Sequence, residues 1–250
     1  MPTDDVTSPA QATRILELLW RHHLPAKSST RGPKPGRTVD AVVAAGIALA
    51  DRDGIGKLTT RAVAAELGMR AMSLYTYVPS KEALLALMVD AVAAEDAPLP
   101  TSAPPRERMI AIATGVRAEL IAHPWLLEIS PWRQVLGPGR MRRYENQLAA
   151  VDGIGLNDLA MDRAIAVLTD FATGNARLAV AAAGAGAQLS DADWWAVYGP
   201  ELARLVPEDA FPLAGRVGTA AGEHHQAPAD PDGAFAYGVA TLVDGILADT

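Results

Sequence analysis

Apolar residues recur every three or four positions through most of this 250-residue chain. Strand-like alternation is nowhere sustained, so the pattern predicts an all-α protein. Ile15, Leu16, Leu19 and Trp20 form a short amphipathic stretch within 9–23. It is either a helix packed on a neighbouring domain or partner chain, or a tail of marginal helicity. Thr38 is placed to cap a helix to about Arg52 with Val42, Val43, Ile47 and Leu49 on its apolar side. Thr59 opens a shorter one carrying Val63 and Leu67, which Gly68 closes. A third runs from about Arg70 to Tyr77 with Leu74 inward, and Val78-Pro79 stops it. Ser80 caps the next, to about Glu95. Pro- and polar-rich APLPTSAPP at 97–105 then marks a boundary. Helical spacing resumes at 106–122 and breaks at His123-Pro124. A short segment, 124–130, follows, then helices at 140–151, about 157–183, 190–206 and 233–248. The Pro-, Gly- and acid-rich residues 207–231 read as a mostly irregular loop with a short turn at 212–217. In the 157–183 helix, Ala172, Gly174 and Ala176 would permit close helix approach.

Two helices of about eight residues joined by a glycine turn, at 59–78, have the form of a DNA-reading helix-turn-helix, or of an ordinary helical hairpin in an all-α core. Charge adds to the first reading. Residues 1–81 hold 11 Lys/Arg against 7 Asp/Glu, and the remainder 11 against 22, within a net charge of −7. An acidic bulk leaves the N-terminal end as the face that phosphates can approach. KSSTRGPKPGR at 27–37 contains no acid, and its Arg31, Lys34 and Arg37 suit a DNA-contacting arm; the bland alternative is a soluble linker. In the second short helix, Ala71 and Met72 offer apolar atoms to a thymine methyl, and Ser73 and Thr76 offer hydroxyls to base edges or phosphate. Strong bidentate readers are missing after Arg70, which favours readout of DNA shape. Tyr75 is equally open to a core role.

The stretch LTTRAVAAELGMRAMSLYTYVPSKEALLALMVD resembles the DNA-binding domain of the TetR family of bacterial regulators. The resemblance rests on T-x-R-x-V-A-x-x-L-G, on S-L-Y-x-Y-V and on the x-K-x-x-L-L entry to the following helix, and covers about residues 38–92. Weaker likeness in HPWLLEI and FAYGVATLVDGIL points to the ligand-binding, dimer-forming domain of the tetracycline-repressor branch. The resemblance implies phosphate contacts from Thr60, Arg61, Tyr77 and Lys81, with Ala71, Met72, Ser73, Tyr75 and Thr76 facing the groove. It further implies a homodimer on palindromic double-stranded operator DNA, released by a small-molecule effector.

The remaining chemistry is mostly exclusion. Cysteine is absent, which removes disulfides, thiolate catalysis and Cys-ligated zinc and agrees with the cytoplasm. The longest apolar runs fall short of a membrane span. Asp4 and Asp5, without a long apolar core, make a signal peptide unexpected. GAGAQL at 184–189 lacks a third glycine and follows a helix, so it is not a dinucleotide loop. With no catalytic motif, no enzyme and no cofactor are expected. His224-His225, read as loop residues, are a poor metal site. His123 is the only histidine expected on the helical body, so metal-assisted tetracycline binding is not expected. Trp125, Trp132, Tyr144, Phe171 and Trp194 concentrate aromatic surface in the second half, as a mostly apolar ligand cavity would need, or as core packing would.

The chain therefore divides by role into an N-terminal extension and arm (1–37), a helix-turn-helix head (38–81), a connecting helix and boundary (82–105), and a ligand-binding, dimerising body (106–250). The expected function is a ligand-responsive transcriptional regulator acting as a repressor. The alternative is a helical carrier or enzyme with a non-functional head.

Overall fold

The computed structural model describes residues 8–25, 37–100, 102–132, 134–186, 189–207 and 210–248. Among them every regular element is helical. The α-helices are α1 (Pro9–Leu19), α2 (Val39–Asp53), α3 (Thr60–Glu66), α4 (Ala71–Leu74), α5 (Lys81–Ala93), α6 (Pro105–Ala122), α7 (Pro138–Val151), α8 (Asp158–Gly186), α9 (Asp191–Leu205), α10 (Pro212–His225) and α11 (Pro231–Ala248). Short 3-10 turns occupy Ile55–Lys57 and Pro124–Glu128.

Helix starts follow the capping residues. Thr38 accepts from the Ala41 N–H, Thr59 from Ala62 and Ser80 from Ala83, each at 3.1 Å. Asn157 accepts from Ala160 at 3.0 Å and Ser190 from Asp193 at 3.1 Å. Each such cap satisfies an N–H that has no partner inside its helix, worth about 1 kcal/mol. The expected loop at 207–231 instead contains α10. Pro212 supplies a preset φ at its first turn, alanines support it, and Gln226 closes it in the left-handed region at φ 53°. No α10 residue is buried, so the helix has no buried apolar stripe for periodicity to reveal. His224 and His225 thus lie in its last turn.

Two compact units form, one from Met1–Arg108 with Ala122–Asp162, the other from Met109–Ile121 with Arg163–Thr250. The first is built around Val42, Leu49, Leu58, Val63, Leu74, Val78, Leu84, Met88 and Val92, drawn from α2 to α5 and their turns. Of the two readings open for 9–23, the structure takes the packed helix. Ser8 and Gln11 form a reciprocal capping box, and Leu19 enters the core with 2% of its surface exposed. Trp125 completes that core at 1% exposed. Asp51 of α2 accepts from its indole N–H at 2.7 Å and pairs with His123 Nδ1 at 2.7 Å.

In the second unit the buried side chains include Met109, Ile112, Ala113 and Leu120 of α6, Ala164, Ile165, Leu168, Ala172 and Ala176 of α8, and Phe235, Val239 and Val243 of α11. Phe171 stacks on Phe235 with ring centres 5.9 Å apart. Arg117 ties the helices by donating to Asn175 Oδ1 at 2.6 Å and to Asp232, with its guanidinium 4.9 Å from the centre of the Phe235 ring. No described helix is long and apolar enough to cross a membrane.

Candidate nucleic-acid interface

The reading unit is α3, a glycine turn and α4, held between α2 and α5. Its turn is set by Gly68 at φ +64°, which a side chain would disfavour. The Met69 N–H reaches the Ala64 carbonyl (2.9 Å) and the Gly68 N–H that of Ala65 (3.0 Å), the paired bonds of a Schellman ending. The Arg37 guanidinium donates to the Leu67 carbonyl at 2.8 Å and so braces the same helix end from before α2.

α4 is shorter than the expected 70–77 helix. Regular helix stops at Leu74, and the chain tightens through Thr76 N–H to Ser73 and Tyr77 N–H to Leu74. The Val78 N–H then reaches the Leu74 carbonyl at 3.0 Å, and Pro79, which has no N–H and disfavours helical geometry at Val78, ends the bonding there. Leu74 and Val78 are buried against the core. This leaves Met72 (77% exposed), Ser73, Tyr75 (40%) and Thr76 on the outer side, with Ala71 and Tyr77 part-buried. Tyr75 is therefore not a core residue. Its hydroxyl lies 3.3 Å from Thr60 Oγ1, joining α4 to the start of α3, while Thr76 returns its hydroxyl to the Ser73 carbonyl at 2.7 Å. Arg61 and Lys81 are exposed in the first turns of α3 and α5, where free N–H groups add positive potential. Arg70, exposed at the residue before α4, is a further cation on this face, outside the residues the sequence singled out. Its place at the N-cap of α4 was the available signal. Arg31 and Lys34 lie outside the described residues.

The aromatic candidates separate. Trp125 belongs to the core of the first unit, where its ring is buried and its indole N–H, which needs a partner once out of water, donates to Asp51. Trp132, 79% exposed, and Tyr144 belong to the same unit. Tyr144 donates to Asp162 at 2.8 Å, and that carboxylate pushes the phenol above its ordinary range. Phe171 and Trp194 belong to the second unit. Trp194 stacks on Tyr198 at 4.7 Å between ring centres, on α9, which has no buried residue. Among the described residues no group of three His, Cys, Asp or Glu could hold a metal ion.

Comparison with known proteins covers both units. Residues 42–88 match the model of the bacterial regulatory proteins of the tetR family, and residues 97–250 that of the tetracyclin repressor-like C-terminal domain. The HTH-type transcriptional repressor DrrR1 of Streptomyces coeruleorubidus is 36% identical over 209 residues, which is 80% of this chain and 74% of that protein. An HTH-type transcriptional regulator of Saccharopolyspora erythraea is 34% identical over 144 residues, covering 57% of this chain and 61% of the relative. Among solved structures, the Streptomyces coelicolor TetR family protein ActR in complex with actinorhodin superposes with a TM-score of 0.71 at 26% identity, covering 86% of this chain and 97% of that one. ActR in complex with (S)-DNPA gives 0.68 at 25% identity, covering 86% and 100%.

Proposed function

The chain belongs to the TetR family of bacterial transcriptional regulators, and from that membership we propose that it is a homodimeric repressor that a small, largely apolar ligand releases from a palindromic operator in the cytoplasm. It is a helix-turn-helix DNA-binding regulator and not an enzyme. The observation that carries the proposal is the outer side of α4. Met72, Ser73, Tyr75 and Thr76 stand exposed beside the fully buried Leu74 and Val78, an apolar and hydroxyl-bearing surface suited to a major groove. Thr60, Arg61, Tyr77 and Lys81 are the proposed phosphate contacts around it. By role, 38–81 reads DNA, 82–105 connects, and 106–250 senses and dimerises.

Dimerisation is proposed through α8 and α11. Gly174 and Gly245 sit inside these helices at a cost of about 1 kcal/mol each, yet a Cβ at either would meet nothing within 4 Å in the single chain. Close approach of a second chain would account for them. For the effector, Trp132, Tyr144, Phe171 and Trp194 are the candidates with exposed or part-exposed rings, and ActR, solved with actinorhodin, supports a small-molecule ligand.

The test is to select duplexes from a random pool with the purified protein and titrate the winner at several salt concentrations. A palindrome should emerge, and Lys81→Ala, which removes one phosphate contact from each of two heads, should lower the slope of log K against log salt by about two units. Selection of no sequence above background would end the repressor reading. An unchanged slope would remove Lys81 from the interface.

A further inference from the structure

Two hydrogen-bond anchors from the N-terminal half converge on one corner, Leu136-Gly137-Pro138-Gly139-Arg140, at the start of α7. The first comes from the end of α1. Leu19 is buried in the core, α1 packs on α5, and Trp20 sends its indole N–H to the Leu136 carbonyl at 3.2 Å. Next to it Arg21 pairs with Asp40 in the first turn of α2, and His22 lies 3.3 Å from the same carboxylate. Partial burial works to raise that carboxyl, but the bonds and charges of Arg21 and His22 outweigh it and hold Asp40 below the usual carboxylate range. The second anchor is Asp90 of α5, which is 7% exposed. It accepts from the Gly139 N–H at 3.1 Å and the Arg140 N–H at 2.9 Å, so a carboxylate from α5 caps α7, whose own N-cap residue, Gly137, has no side chain to do so. The approach is close enough to require glycine at 139, against backbone, and at 137 a side chain would displace the Asp90 carboxylate from its bonds. A Cβ at Gly137 would come within 2.4 Å of the Asp90 carboxylate, and one at Gly139 within 2.0 Å of the Asp90 carbonyl oxygen.

α5 follows the reading unit directly, with only Val78, Pro79 and the Ser80 cap between the last turn of α4 and its first residue. The attitude of α5 is therefore the attitude of α4. Turning α2 and α5 against α7 must break the Trp20 bond, the Asp90 bonds, or both. Trp20 and Asp90 also fall outside the two segments matched by the family models, 42–88 and 97–250.

We propose that this corner is a clamp that presets the reading head for DNA, with Trp20 and Asp90 as its positioning residues. The inference rests on the homodimeric repressor reading. Two heads must enter successive major grooves ~34–36 Å apart, and heads already held in that attitude lose less orientational freedom on binding. Loosening the clamp weakens engagement of both half-sites together and leaves a single head as able as before to bind one.

The experiment uses the full chain and two probes: the duplex selected by the wild type, and the same duplex with one half-site scrambled, both at low salt where single-head binding is measurable. Trp20→Phe removes the N–H and keeps most of the packing; Asp90→Asn keeps the shape and removes the charge. Each variant should bind the full site about two- to tenfold more weakly, the loss expected for a hydrogen bond, with half-site affinity within twofold of wild type. Full-site binding equal to wild type overturns the clamp. So does an equal loss on both probes, which would mean that these residues only support the folding of the head. If Asp90→Asn loses its cooperative thermal transition, Trp20→Phe decides alone. A wild type that selects no duplex sinks the repressor reading, and the clamp with it.

Discussion

Gly68 and Gly139 both stand at turns, for different physical reasons. Gly68 needs its left-handed φ of +64°, but a Cβ there would touch nothing within 4 Å. Gly139 has no such φ; its constraint is the Asp90 carbonyl oxygen, 2.0 Å from where a Cβ would lie. Alanine at Gly68 should therefore cost about 1 kcal/mol of backbone strain. Alanine at Gly139 should cost more, about 2–3 kcal/mol, because backbone must move and Asp90 loses its hold on α7. Denaturant midpoints at unchanged slope would measure both. Equal, mild losses would mean that α5 and α7 do not approach so closely. Arg37 adds a related lesson. Proposed as a DNA contact from its basic surroundings, it is seen bracing the C-terminal end of α3 through the Leu67 carbonyl, a task that any guanidinium near an unsatisfied helix end can take up.

At the scale of elements, α8 carries two different small-residue faces. Ala172 and Ala176 are buried within their own chain, whereas Gly174 is exposed with open space around it. The alanines serve packing inside the protomer, and the glycine is left for the proposed partner. Gly174→Leu should thus act in opposite directions on two measurements. It should stabilise the single chain by about 0.5–1 kcal/mol through helix propensity, while raising the dimer dissociation constant at least tenfold, because a bulky side chain would stand between the two chains. Sedimentation equilibrium alongside thermal unfolding separates the two effects, and an unaltered dimer would place the interface elsewhere. Val243, on the same stripe of α11 as Phe235 and Val239, is wholly buried in its own protomer. A charge there would report on folding rather than association.

The chain has a basic N-terminal end and an acidic remainder, 11 Lys/Arg to 7 Asp/Glu in 1–81 and 11 to 22 after it, so the proposed operator-binding and effector-binding segments are stretches of opposite charge. If the effector releases DNA as proposed, the coupling is worth ~1–3 kcal/mol, a five- to 150-fold loss of operator affinity. Reciprocity demands that saturating operator weaken effector binding by the same factor. Titrating an effector found by screening, with and without operator, measures this directly. Equal affinities in the two titrations would show binding without regulation, however tight the binding.

Much of this was already legible along the chain. Caps, Gly68, Pro79 and the three- and four-residue spacing specified nearly every helix, because these are local effects in which a residue and its near neighbours settle the backbone. The reading unit was legible for the same reason: Leu74 had to face inward, which left Met72, Ser73 and Thr76 outside, while the burial of Val78 emerged only in the structure. What lay beyond sequence was decided by distant partners. α10 forms without a buried face, so no periodicity announced it. Trp125, open in the sequence to a cavity or a core role, takes the core role because Asp51, 74 positions away, offers its indole N–H an acceptor there. Asp90, an acid within the apolar run LLALMVDAV, acquires its reason only when α7 presents two unpaired N–H groups to it. Burial and hydrogen-bond partnership between remote segments belong to the folded chain, and tertiary structure alone assigns them.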